Sequence, residues 1–287
     1  MTGARVRFAR RPLLLVALLA LAACRERPRP LAAALLAFSG EAALALRLQL
    51  PPSAETERRL RELAERARAA IARGGHPADR LNRLVFDELG FQREVRDPAP
   101  ALMLLPRVLA GRRGDCIGLS SLYLALGEAL ELPLEGVLVP GHLFVAYRRA
   151  SDVRRVELLR RGEAMPRSWY VQKYHVPPQS PLYLRGLARD ELLAVLRYNL
   201  ANELRVRGRL REAVVQYRAV VDVLADHAEA HANLGLTLHL LGEHDAAERA
   251  YRRAALAAPE LPGLRHNLAE LERARTAASR PARAGSL

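Results

Sequence analysis

A period of 34 residues in the last third of the chain constrains its architecture more than any other feature. Asn199-Leu200-Ala201, Asn233-Leu234-Gly235 and Asn267-Leu268-Ala269 align at that spacing, as do Gly208 with Gly242, Ala213 with Ala247 and Tyr217 with Tyr251. A unit this short cannot bury its own apolar face, so neighbouring units must stack to make a core. Pro259 ends the second unit. Residues 262–275 supply a further helix, and 276–287 are expected to form a disordered tail.

The pattern is similar to tetratricopeptide (TPR) repeats, which place small residues where paired helices cross and an aromatic residue in the second helix. That resemblance implies an all-α module over residues 187–275. Its use is either a concave surface for a protein or peptide partner, or a buttress for the rest of the chain.

The rest of the 287 residues leaves room for about one more domain. Leu and Ala dominate the apolar set and aromatics are 5%, a bias toward helix. Residues 31–50 fit either a helix or a lead-in strand. Residues 53–72 read as an amphipathic helix, capped by Ser53, with Leu60, Leu63, Ala67 and Ile71 in one stripe. Gly74-Gly75-His76-Pro77 breaks it, and 78–89 form a second helix. Residues 133–147 alternate as a strand and 153–159 as another. Pro177, Pro178 and Pro181 mark a linker.

Residues 1–23 read as a targeting segment. Arg5, Arg7, Arg10 and Arg11 precede an apolar run from Leu13 to Ala23, too short for a membrane span. Leu21-Ala22-Ala23-Cys24 resembles the bacterial lipobox, which implies acylation of Cys24 and a lipid-anchored protein facing the periplasm. An ordinary secretory signal and an N-terminal anchor helix are the alternatives. Residues 24–52 then form a tether and lead-in segment. Arg25, where a retained inner-membrane lipoprotein carries Asp, leans the placement toward the outer membrane. The chain has two cysteines. Acylation of Cys24 leaves Cys116 without a disulfide partner, either buried and inert or kept for chemistry.

Cys116 lies in Arg112-Arg113-Gly114-Asp115-Cys116-Ile117-Gly118, ahead of a Leu-rich segment. Asp115 is a plausible N-cap, which puts Cys116 in the first helical turn. The helix dipole there is expected to lower the thiol pKa, with Arg112 and Arg113 adding to it. His142 follows Pro140-Gly141 in an apolar run, where an imidazole can serve as general base and acid. Glu157, fifteen positions on, sits between apolar residues on the next expected strand, placed to hold the other imidazole nitrogen. Taken singly these are ordinary: a buried small cysteine, a turn histidine, an exposed strand charge.

Together with Leu81-Asn82-Arg83-Leu84-Val85-Phe86-Asp87-Glu88-Leu89-Gly90-Phe91, Leu119-Ser120-Ser121-Leu122-Tyr123-Leu124-Ala125-Leu126 and Pro140-Gly141-His142-Leu143-Phe144-Val145, they resemble the SirB1-type branch of the transglutaminase-like superfamily. The resemblance implies an α+β, papain-like domain at residues 53–178, with a helix bundle and a small antiparallel sheet. It matches Cys116 to the nucleophile, His142 to the base and Glu157 to a position usually held by Asp. The Cys116 backbone N–H is the default oxyanion donor.

The formal charge is +14, nearly all of it arginine, since Lys173 is the only lysine. The arginines alternate with glutamates along helices and no basic run is interleaved with aromatics, so nucleic acid is not an expected partner. The plain reading is a solvated helix surface that uses Arg in place of Lys, and contact with anionic lipid is the more interesting use of the charge. No P-loop, dinucleotide fingerprint or metal-ligand spacing is present, and no cofactor or metal is expected. Two functions remain open. One is an envelope cysteine enzyme acting through a Cys116 thioester. The other is a non-catalytic scaffold, favoured by Glu157 and by the short, non-aromatic surroundings of the pair.

Overall fold

Residues 31–46 are mostly Leu and Ala with no β-branched residue, and they form helix α1 (Leu31–Leu46) rather than a strand. The computed structural model describes residues 30–94 and 99–279. The expected leader, the lipidation site Cys24, nearly all of the tether at 25–30 and the tail at 280–287 lie outside the described residues. The described residues from Leu31 onward make one unit.

Helix α2 (Ser53–Ala72) buries Leu60, Leu63, Ala64, Ala67 and Ala70. Ser53 does not cap it. Pro52 is the N-cap residue, and the Thr56 hydroxyl donates to the Pro52 carbonyl at 3.1 Å. Helix α3 (Pro77–Asn82) starts on His76, whose Nδ1 accepts the Ala78 N–H. From Arg83 to Glu88 the helix widens to π-type turns, so the single helix expected over 78–89 has two parts. Helix α4 (Leu105–Gly111) follows, and strands β1 (Gln92–Arg93) and β2 (Arg113–Gly114) pair in parallel.

Helix α5 (Cys116–Ala129) is the centre of this part of the molecule. Every residue from Ile117 to Gly127 is buried. Burial of each Leu contributes on the order of 2 kcal/mol, which holds the helix start in place. The chain backs tightly onto this helix: a Cβ on Gly118 would lie 2.0 Å from the Leu102 carbonyl oxygen, so only glycine fits.

The segment read as one strand over 133–147 is a hairpin. Strand β3 (Leu134–Val139) turns at Pro140-Gly141 into β4 (His142–Arg149), with Val139 opposite His142. Gly141 takes φ +67°, which the tight turn requires. Strand β5 (Asp152–Glu157) pairs with β4, and β6 (Glu163–Ala164) with β5, giving an antiparallel sheet in the order β3-β4-β5-β6. Helix α6 (Arg167–Lys173) follows.

The Pro-rich stretch after α6 is not a free linker. Leu182 and Tyr183 are buried, and the Leu184 and Leu187 amides donate to the Leu138 and Gly136 carbonyls of β3. The helical region comprises α7 (Arg189–Val206), α8 (Leu210–Val223), α9 (Ala228–Leu240), α10 (His244–Ala257) and α11 (Leu264–Ser279), each packed on the next. The 34-residue pattern has a structural counterpart. Gly208 and Gly242 take φ +73° and +78°, each ending a helix in a Schellman closure, with Arg209 N–H to Leu204 O and Glu243 N–H to Leu238 O. Ala213, Ala247, Tyr217 and Tyr251 are all fully buried. Helix α11 runs through 276–279, part of the expected tail. No helix among the described residues is long and apolar enough to cross a membrane.

Candidate active site at the start of the buried helix

Asp115 opens α5 as its N-cap, its Oδ1 accepting the Gly118 N–H at 2.7 Å. This fixes Cys116 as the first helical residue. Part of Cys116 reaches solvent, but its sulfur faces inward, toward the amide of Leu143. Ser120, one turn on, donates its hydroxyl to the Leu143 carbonyl at 3.4 Å. Helix α5 and strand β4 therefore meet at the residue next to His142.

His142 and Glu157 lie on neighbouring strands, both almost wholly buried. The β4–β5 register pairs Val145 with Val156; continued by one step it sets Glu157 across from Phe144. His142 is then a diagonal neighbour of Glu157 on the same face, about 7–8 Å away at the backbone. The longer Glu side chain spans that diagonal, and His142 Nε2 lies 2.9 Å from Glu157 Oε2. A carboxylate offers only acceptors, so Nε2 carries the hydrogen, and Nδ1 is the ring nitrogen left for proton exchange. The other carboxylate oxygen accepts the Leu159 N–H at 3.1 Å, which fixes Glu157 in turn.

The electrostatics differ from the sequence expectation at Cys116. Burial, then the neighbouring Asp115 carboxylate, push the thiol up from 9.0 to about 12; the Leu143 amide opposes this without prevailing. Desolvation outweighs the helix dipole because the sulfur is packed away from water. Arg112 and Arg113 do not offset it. Arg112 ends α4 in a left-handed conformation and donates to the Leu89 carbonyl, and Arg113 pairs with Glu94 at 2.7 Å. Burial raises the Asp115 carboxyl as well.

The surroundings are aromatic, which the sequence reading missed. Tyr174 lies flat on the His142 imidazole, ring centroids 4.7 Å apart and planes within 5°. Tyr170 stacks on Phe144 at 3.8 Å. The spacing explains the match: residues i and i+4 on a helix are about 6 Å apart, close to the i, i+2 repeat of a strand. Trp169 meets both tyrosines edge-on, and Lys173 Nζ sits 4.4 Å from the Trp169 ring. Burial and then the Glu157 carboxylate raise the Tyr170 and Tyr174 hydroxyls, with Cys116 adding to the effect at Tyr174. The Tyr170 hydroxyl is buried and faces the Glu157 carboxylate. The paired spacings 142/144 and 170/174 were the available sequence signal.

Among the described residues no group of His, Cys, Asp and Glu is arranged to hold a metal ion. Chemically, the arrangement offers a thiol at a helix start, an imidazole oriented through Nε2, and a carboxylate behind it.

Comparison with known proteins gives three findings. Residues 54–173 match the family model of the transglutaminase-like superfamily, so the chain carries a transglutaminase-like domain over that span. The human protein O-mannosyl-transferase TMTC1 is 32% identical over 83 residues, 29% of this chain and 9% of that protein. The chain thus spans less than a tenth of that relative's length. Among solved structures, the crystal structure of menin that reveals the binding site for the Mixed Lineage Leukemia (MLL) protein shares the fold at TM-score 0.50 and 12% identity. That likeness covers 87% of this chain and 71% of menin.

Proposed function

We propose that this chain is a membrane-anchored transglutaminase-like cysteine enzyme. Its chemistry is acyl transfer or amide hydrolysis through a thioester on Cys116. The observation that carries the reading is the buried His142–Glu157 bond, one residue from the amide that Cys116 faces. The thiol passes its proton to His142 Nδ1 as sulfur attacks an amide carbonyl. The C–N bond breaks, the imidazolium returns the proton to the leaving amine, and a thioester remains. Water or an amine then attacks the thioester, His142 taking the incoming proton and giving it to the departing sulfur. The thiol is held protonated at rest, so the transfer to His142 accompanies attack and does not precede it. The Cys116 N–H, at the helix start, is the default donor to the oxyanion.

The same proposal places the protein in the bacterial envelope through lipid on Cys24, supported by Leu21-Ala22-Ala23-Cys24. It assigns residues 187–275 to TPR repeats that bind a protein or peptide. The matching glycine closures and buried Ala and Tyr positions support that assignment.

The test uses the full chain with glutamine-containing peptides and hydroxylamine. Wild type is expected to form a peptide adduct on Cys116, visible by intact mass, and to release ammonia with hydroxamate formation; Cys116→Ala does neither. Absence of adduct, ammonia and hydroxamate in wild type overturns the enzyme reading. A second reading, a non-catalytic peptide-binding scaffold, is favoured by the raised Cys116 thiol and the ring over His142. The fold shared with menin, whose structure shows a protein-binding site, fits that reading too.

A further inference from the structure

The segment between α6 and α7 joins the His142 site to the helical region at two tyrosines. Tyr174, at its start, covers the His142 ring. Tyr183, near its end, is buried and donates its hydroxyl to Glu229 Oε2 at 2.5 Å. Glu229, at the start of α9, also lies 3.1 Å from His227 Nδ1. Each tyrosine is followed by a non-glycine residue in the left-handed region, His175 at φ +49° and Leu184 at φ +60°. Such conformations persist only where neighbouring contacts impose them, and a Leu is among the least tolerant residues there. Pro177, Pro178 and Pro181 leave little slack between the two ends. Beyond Tyr183 the Leu184 and Leu187 amides bond β3, the strand that turns directly into His142.

We propose that this strap makes the Cys116 site answer to the helical region. The Tyr183–Glu229 bond holds Tyr174 closed over His142 and Cys116, and its release opens the site. The strap is a positioning device: Tyr174 touches the imidazole, while Tyr183 and Glu229 act through it. The inference rests on the proposed Cys116 chemistry only for its purpose, since opening and closing can be read without turnover.

Trp169, the single tryptophan of the chain, meets the Tyr174 ring edge-on and so reports on the cover directly. The experiment uses the full chain with Cys24→Ser, which leaves Cys116 as the only thiol. Iodoacetamide labelling of Cys116 and acrylamide quenching of Trp169 are followed under native conditions. Tyr183→Phe and Glu229→Gln each weaken the anchor and are expected to raise labelling about tenfold, the loss of one bond to a charged group, and to make Trp169 easier to quench. Tyr174→Leu raises labelling at least as much, while Tyr174→Phe keeps the ring and stays within about twofold, half a hydrogen bond's worth or less. Circular dichroism confirms that each variant is folded; Tyr183→Phe and Tyr174→Phe change only a hydroxyl.

Unchanged labelling and quenching in Tyr183→Phe and Glu229→Gln overturn the coupling. Unchanged labelling in Tyr174→Leu overturns the cover. A wild type that labels and quenches as expected but forms no peptide adduct sinks the enzyme reading and leaves the strap standing.

Discussion

Two buried histidines in this chain are each bound to a glutamate, and their neighbourhoods differ. His142 meets Glu157 across two strands, through Nε2 at 2.9 Å. His227 meets Glu229 locally at the start of α9, through Nδ1 at 3.1 Å. In the first pair the residue after the histidine, Leu143, turns its amide to a thiol. Among the described residues the second pair leaves Nε2 buried without a hydrogen-bond partner, and the His227 and Tyr198 ring centroids are 4.7 Å apart. A buried His–Glu pair is therefore not in itself a reactive site. The nucleophile next to it makes the difference: the ring beside His227 is a phenol, Tyr198, and its partner Glu229 holds a second phenol, Tyr183.

The largest expected effect separates the pairs by function. His142→Ala should lower the peptide-dependent hydroxamate rate by about 10³-fold or more, as loss of a catalytic base does. His227→Ala reaches the site only through Glu229 and the strap, so its effect on that rate should stay within about tenfold, the worth of one bond to a charged group. Equal losses in the two variants would mean that both pairs serve the chemistry only by holding the fold.

Next come the costs of removing each carboxylate. Glu157→Ala strands a fully buried imidazole N–H and the Leu159 amide, a loss of about 2–4 kcal/mol. Glu229→Ala strands the Tyr183 hydroxyl and His227 at a site closer to water, about 1–3 kcal/mol. Urea unfolding followed by circular dichroism measures both. A larger cost at Glu229 would reverse the assignment of the more deeply desolvated pair.

The contrast also shows what a sequence makes legible. The pairing of His142 with Glu157 and the place of Cys116 at a helix start were legible because turn residues and apolar strands frame them. Tyr174 was not. Its contact with His142 depends on where α6 docks, a tertiary outcome that neither propensity nor periodicity carries. The hairpin was misread as one strand because Pro140-Gly141 interrupts an otherwise unbroken apolar run. The thiol was misjudged for a related reason. A helix start suggests a stabilised thiolate, but burial of the sulfur decides the sign, and burial is not visible along the chain. The helical character of the C-terminal region was the easiest to read, since small and aromatic residues recur there at fixed spacing.

The sign of that misjudged shift gives a pH test. The Cys116 thiol is raised from 9.0 to about 12 in the folded state. Protonation therefore favours folding: the contribution is intact below about pH 9 and is lost as pH rises toward 12. Native labelling of Cys116 should keep climbing about tenfold per pH unit past 9, where the same thiol in urea levels off. A native profile that levels at or below pH 8 would restore the activated thiolate that the helix dipole alone suggests, and would bring the His142 neighbourhood closer to the reactive extreme of the comparison.

The smallest effect tests whether the helical region deserves its place as the regular half of the molecule. Gly208 and Gly242 close α7 and α9 with the same pair of bonds at nearly the same φ, and neither has a neighbour that a methyl group would strike. The cost of alanine there is conformational alone, about 1–2 kcal/mol at each site. For equivalent units the two substitutions should lower the melting temperature equally, by several degrees each on a unit of this size. A loss at Gly208 well beyond that at Gly242 would mean that the first closure carries an additional load. The neighbouring Arg207 and Arg209 supply a reason to look, because they reach back to the Leu46 and Ala45 carbonyls at the end of α1. The repeat would then be regular in backbone but unequal in duty, its first turn anchoring the helix that leads toward the expected tether.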